Sequence, residues 1–268
     1  MESYISDSMG MRFPPIVLLK SDTKPDDAIG PKPGKGGCVM SFVAQCIAKR
    51  KTTYFGRENI TCGGVSVGFG WGDGFADEDA MDFQATFLSC GIESAPDKEA
   101  YQKRLDNMPR VSEMFREGER IFCDFKTAKE NIKNRPVYDD GQYVIFKGIE
   151  NLKDDDEPKS VIFTLNPMEL TILIQLNTSF RTENACLLTP QASSCQSIGC
   201  YVFREDESDD PVPVLGPIDL AGRSKTKHFI PNDYLTLAMP WKLFMKLEKI
   251  SKKSVIQTEL FRKYFNDG

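Results

Sequence analysis

Uninterrupted apolar runs, separated by polar or proline- and glycine-rich connectors, dominate the pattern of this chain. Residues 11–20 (MRFPPIVLLK) enter through Pro14-Pro15 and carry a continuous apolar run, which predicts a short buried strand. Residues 52–55 (TTYF), 144–149 (VIFKGI), 161–165 (VIFTL) and 234–239 (YLTLAM) predict strands for the same reason. Residues 81–90 (MDFQATFLSC) place Phe83, Ala85 and Phe87 in alternation and read as a further strand, as do 121–126 (IFCDFK) and 201–203 (YVF).

Helical spacing appears elsewhere. Residues 38–50 set Val39, Phe42, Val43, Cys46 and Ile47 on one face and end in Lys49 and Arg50, where cations suit the dipole. Residues 96–116 open with Pro96, Asp97 and Glu99 and break into two pieces at Pro109. Residues 168–180 follow Asn166-Pro167, read as a cap and a first-turn proline, and residues 240–250 carry Trp241, Phe244, Met245 and Leu247. Segments 21–37, 153–158 and 204–214 are polar connectors. Without steady strand–helix alternation, seven or eight strands and four or five helices predict an α+β fold: a mixed or antiparallel sheet with packed helices. One compact domain over residues 1–268 is expected, its tail 251–268 helical in spacing.

Composition narrows the classes of partner. Over 268 residues the net charge is -5, so no global field draws the chain to nucleic acid or to an anionic membrane. No long apolar run and no basic, apolar leader is present, so a soluble protein of the cytoplasm is expected.

The most unusual stretch is residues 62–74 (CGGVSVGFGWGDG), six of whose thirteen residues are glycine; it reads as a binding loop with exposed backbone amides. It lacks the Lys-Ser or Lys-Thr step of a P-loop and the strand–helix setting of a dinucleotide fingerprint. No GxSxG, no HExxH and no calcium-loop spacing occurs. The chain is cysteine-rich, with eight, but holds no CxxC, and most of them read as small core residues. Cys38 stands at the first turn of its helix, where amide dipoles are expected to lower a thiol's pKa. Ser194 heads a turn suited to an anion or to a simple cap, and Arg223, near Lys225 and Lys227, meets an anion or solvates a turn. His228, the only histidine, has no cysteine near it in sequence.

Cys38 before an apolar helix, Tyr54-Phe55, Cys62-Gly63-Gly64 and Gly68-Phe69, then residues 161–168 (VIFTLNPM) and Ser194-Cys195-Gln196, together resemble an uncharacterised archaeal and bacterial family. That family is catalogued as domain of unknown function 169, and the likeness runs over residues 11–249. Where its pattern has Leu-Gly-Cys-x-Gly, this chain has Leu215-Gly216-Pro217-Ile218-Asp219 and lacks the thiol. The resemblance brings no activity, but it singles out Cys38, Cys62 and Cys195. Two readings follow, beside a third in which the chain is a scaffold whose glycine run merely packs. In the first, a ligand-binding protein holds a metal ion or iron–sulfur cluster on Cys38, Cys62 and Cys195, beside a glycine loop (Gly63, Gly64, Gly68) and the polar groups Ser194 and Arg223 that meet a small or anionic ligand. In the second, an enzyme uses Cys38 or Cys62 as a reactive thiol, with the glycine-loop amides holding an anion.

Overall fold

Strands built on continuous apolar runs have little polar face to give to water, and most of their positions are buried on both sides. The computed structural model describes residues 1–32, 37–59, 62–71, 78–108, 113–190 and 193–265. The chain divides into two compact units, Met1–Trp71 with Tyr138–Gly268, and Gly72–Val137. The fold is α+β.

Among the described residues the strands are β1 (Ile16–Ser21), β2 (Thr53–Gly56), β3 (Tyr143–Gly148), β4 (Ser160–Leu165), β5 (Val214–Gly216) and β6 (Leu235–Pro240). The α-helices begin with α1 (Tyr4–Ser8), α2 (Val39–Lys49), α3 (Gly63–Gly68), α4 (Glu78–Leu88), α5 (Lys98–Asp106), α6 (Glu113–Glu117) and α7 (Phe125–Lys133). They continue with α8 (Pro167–Thr178), α9 (Ser194–Ile198), α10 (Cys200–Glu207), α11 (Leu220–Thr226), α12 (Trp241–Ser251) and α13 (Glu259–Phe265).

All six strands lie in the first unit, in the order β2-β3-β1-β4-β6-β5, and every neighbouring pair is antiparallel. The side-chain period of two sends Ile16, Leu18, Phe146 and Ile162 to one face, where they pack with residues of α2, α3, α9 and α10. Val17, Leu19, Ile145, Val161 and Phe163 go to the other, against α1, α8 and α12. Phe146 and Phe163 are fully inaccessible, and burial of such a side chain contributes about 2–3 kcal/mol. Asn166 caps α8: its Oδ1 accepts from the amides of Met168 (2.9 Å) and Glu169 (3.0 Å), while Glu169 Oε2 accepts from the Asn166 amide (2.8 Å). Ser3 Oγ (2.5 Å) and the Tyr4 amide (3.0 Å) donate to the Glu248 carboxyl, which ties the start of α1 to α12.

The second unit is helical. Ala85 and Leu88 of α4 share a core with Ala128 and Ile132 of α7, and the Phe87 and Phe115 rings lie 4.6 Å apart. Of the predicted strand over residues 81–90, residues 81–88 are instead the body of α4 and 89–90 a turn, because Phe83, Phe87 and Leu88 also match a helical stripe. Nor is residues 121–126 a strand. The last carbonyls of α4 lack partners inside their helix, and the amides of Glu119, Arg120 and Ile121 donate to Phe87, Ser89 and Leu88 at 2.7, 2.9 and 3.0 Å. The helical reading of residues 96–116 becomes α5 and α6, and the break expected at Pro109 lies outside the described residues. Residues 201–203 belong to α10, where Tyr201, Val202 and Phe203 are all buried, so an aromatic and β-branched run sits in a helix enclosed on most sides. Residues 204–207 extend the same helix rather than a loop. The tail carries α13, with Phe261 buried.

Candidate functional site

Three cysteines from distant parts of the chain come together on one face of the sheet. Cys38 is the N-cap residue of α2, Cys62 the N-cap residue of α3, and Cys195 the second residue of α9. Each of the three thiols lies within electrostatic reach of the other two. They differ in access: Cys62 is exposed, Cys38 half-buried and Cys195 buried.

Glycine makes this approach possible. A β-carbon on Gly68 would lie 2.8 Å from Cys195 Cβ and Sγ, and one on Gly199 would lie 2.1 Å from the Gly68 carbonyl oxygen. The helices α3 and α9 therefore meet backbone to backbone, and Cys195 Sγ donates to the Gly64 carbonyl at 3.2 Å. The expected binding loop is not a loop over this part of its length. Gly63, Gly64 and Gly68 belong to α3, and the amides of Ser66 and Phe69 donate to carbonyls of the same turn, at Cys62 and Val65. Gly63 and Gly64 occupy its first two positions, where amides have no partner within the helix. The continuation through Gly72 and Gly74 falls outside the described residues.

Asp219, whose part in this site no local sequence signal gave away, acts electrostatically on Cys38 and Cys195. Its Oδ2 accepts from the Ser194 amide (2.7 Å) and the Ser194 hydroxyl (2.9 Å), and its Oδ1 from the Gly222 amide (2.7 Å). It thereby caps α11 and fixes the start of α9 beside α2. Ile218, just before it, is buried yet holds φ +57°, a conformation that a β-branched residue rarely adopts.

The electrostatics reverse the expectation for Cys38. Burial pushes its thiol up to about 11, with Asp219 and Cys62 adding to the shift, while the amides of Met40 and Ser41 oppose it. Loss of hydration outweighs the helix dipole. Burial likewise drives the Cys195 thiol upward, against the hydrogen bond from Ser193. Cys46 lies in the core and is pushed up to about 12 by burial, and Cys200 is buried in α10.

Arg223 Nη2 donates to the carbonyls of Pro217 (2.8 Å) and Tyr234 (3.1 Å), so its charge is spent on holding the backbone around α11. Ser194 is 3% exposed and bound to Asp219. His228 is exposed in the turn after α11. Among the described residues, no three histidine, cysteine, aspartate or glutamate side chains sit close enough to hold a metal ion, and no helix is long and apolar enough to cross a membrane.

A family model, DUF169, described as uncharacterised ArCR, matches residues 4–249. No curated protein and no solved structure matches the chain.

Proposed function

The chain belongs to the uncharacterised DUF169 family, and we propose from its own side chains that it binds an iron–sulfur cluster through Cys38, Cys62 and Cys195. The carrying observation is the convergence of these three thiols, out of eight, from elements that are far apart in sequence. Thiolates are soft ligands, which select iron–sulfur clusters, zinc and copper(I) over hard cations. A single tetrahedral ion draws its ligands close together, and no described trio is that close. Iron–sulfur clusters are held by cysteine thiolates, and these three are the candidates here. Cys38 and Cys195 carry their protons in the ligand-free protein, so uptake of the cluster releases them and strengthens as pH rises. The Met40 and Ser41 amides beside Cys38 are the hydrogen-bond donors that set such a cluster's potential.

Anaerobic reconstitution with ferrous iron and sulfide tests the reading. The wild-type chain is expected to take up iron and sulfide in stoichiometric amounts and to turn brown, whereas Cys62→Ser stays colourless and Cys123→Ser behaves as wild type. A wild-type protein that takes up no iron, or a Cys62→Ser variant with full colour, overturns it. The exposure of Cys62 favours a second reading, a reactive thiol at the head of α3. Its signature is a metal-free protein in which Cys62 is alkylated faster than the likewise exposed Cys123.

A further inference from the structure

Two further cysteines lie together in the Gly72–Val137 unit, and they are the only two in its sequence. Cys90 stands two residues after α4, and Cys123 two residues ahead of α7. Backbone hydrogen bonds join what precedes them: Arg120 donates to Ser89, and Ile121 and Phe122 both donate to Leu88, at 2.9, 3.0 and 3.1 Å. Cys90 Sγ donates to the Cys123 carbonyl at 3.7 Å. A carbonyl oxygen lies about 2.4 Å from its own Cα at most, so Cys90 Sγ lies within about 6 Å of the Cys123 Cα. Cys123 Sγ, which donates to Asp124 Oδ2 at 3.2 Å, must turn toward Cys90, and the bound is compatible with disulfide geometry after that rotation. Cys90 is half-buried and Cys123 exposed, so a small oxidant reaches one thiol first.

We propose that Cys90 and Cys123 form a reversible disulfide by exchange with a low-molecular-weight disulfide, and that the bond locks residues 119–124 onto the end of α4. The exposed Cys123 thiolate attacks one sulfur of the small disulfide, forms a mixed disulfide and releases one small thiolate. The Cys90 thiolate then attacks the Cys123 sulfur, closes the internal bond and releases the second. The protein gives up two electrons, the small disulfide becomes two thiols, and the two cysteine protons end on them. Exposed pairs of this kind are reducible, unlike structural disulfides. The inference does not depend on Cys38, Cys62 or Cys195.

Oxidised glutathione, added to the full chain and followed by a non-reducing peptide map, tests the assignment. The wild type is expected to yield one peptide pair joined through Cys90 and Cys123, which free glutathione or a dithiol separates. Cys90→Ser is expected to stop at Cys123 carrying glutathione, because the second thiol is gone. In the oxidised wild type, hydrogen exchange at the amides of residues 119–122 slows about tenfold. Persistent glutathione on wild-type Cys123, linkage of either cysteine to a different one, or both thiols remaining free to alkylate overturns the proposal.

Discussion

Gly68 and Cys195 touch in a way that no other residue at position 68 would allow: a β-carbon there would stand 2.8 Å from the cysteine sulfur and 3.1 Å from its carbonyl carbon. Gly68→Ala must push α3 off α9, and the expected cost is about 2–3 kcal/mol, read as a lower urea midpoint. Gly64→Ala is the control. Its β-carbon meets only Cys62 Sγ, at 3.6 Å, so the better helix propensity of alanine is expected to leave stability unchanged or raised by about 0.5–1 kcal/mol. Equal destabilisation by the two substitutions would contradict the close crossing of α3 and α9.

Asp219→Asn keeps the size of the side chain but turns one acceptor oxygen into a donor facing Ser194, whose amide and hydroxyl both point at Asp219 Oδ2. A stability loss of about 1–3 kcal/mol is expected from the broken pair. The same change removes a negative charge that raises the thiol pKa values of Cys38 and Cys195. Alkylation of Cys38 by iodoacetamide at fixed pH should then quicken about two- to threefold. An unchanged rate would place Asp219 electrically remote from Cys38.

Alkaline pH should weaken the fold through its buried thiols. The thiols of Cys38 and Cys46 are pushed up to about 11 and about 12, from an ordinary 9.0. Above pH 9 the unfolded chain therefore loses these protons while the folded chain keeps them. Their contribution is full below pH 9 and falls as pH rises, by about 1.4 kcal/mol per thiol for each pH unit, until the folded thiol itself ionises. Urea midpoints should hold up to about pH 9 and then fall towards pH 10.5, and Cys46→Ala should make the decline shallower. A flat profile would contradict the burial of these thiols.

Asn166→Ala removes the side-chain oxygen that receives two amides at the head of α8. A cost of about 1–2 kcal/mol is expected in thermal melts, while Asn166→Asp, which keeps the acceptor, should lose less than half of that.

The sequence was most informative where one element needed no help from distant residues. The apolar runs at β1, β3, β4 and β6 announce strands buried on both faces, and Asn166-Pro167 announces the start of α8 through local hydrogen bonding alone. Short aromatic runs misled. Tyr201-Val202-Phe203 has the composition of a strand, but each of its side chains is buried by α10 packing on the sheet, and tertiary contact overrides propensity. The glycines of α3 misled in the opposite sense. Their density suggested open backbone, whereas the close approach of α9 outweighs their poor helix propensity. The grouping of Cys38, Cys62 and Cys195 came from the likeness to a family pattern; their spacing in the chain carries no ligand motif. Asp219 was not singled out by its sequence: it accepts from the Gly222 amide three residues on, and its reach to Ser194 depends on a fold that brings residues 25 positions apart into contact.

The strand order also sets a schedule for the chain as it is made. β1 lies between β3 and β4, so Ile16 waits for Gly148 on one side and Ile162 on the other. At a ribosome, an apolar strand with both edges open emerges well over a hundred residues ahead of either neighbour. Such long-range pairing folds slowly, and the exposed edges invite intermolecular association in the interval. A newly made chain of this kind depends on protection during synthesis, and refolding from denaturant is expected to lose yield as protein concentration rises.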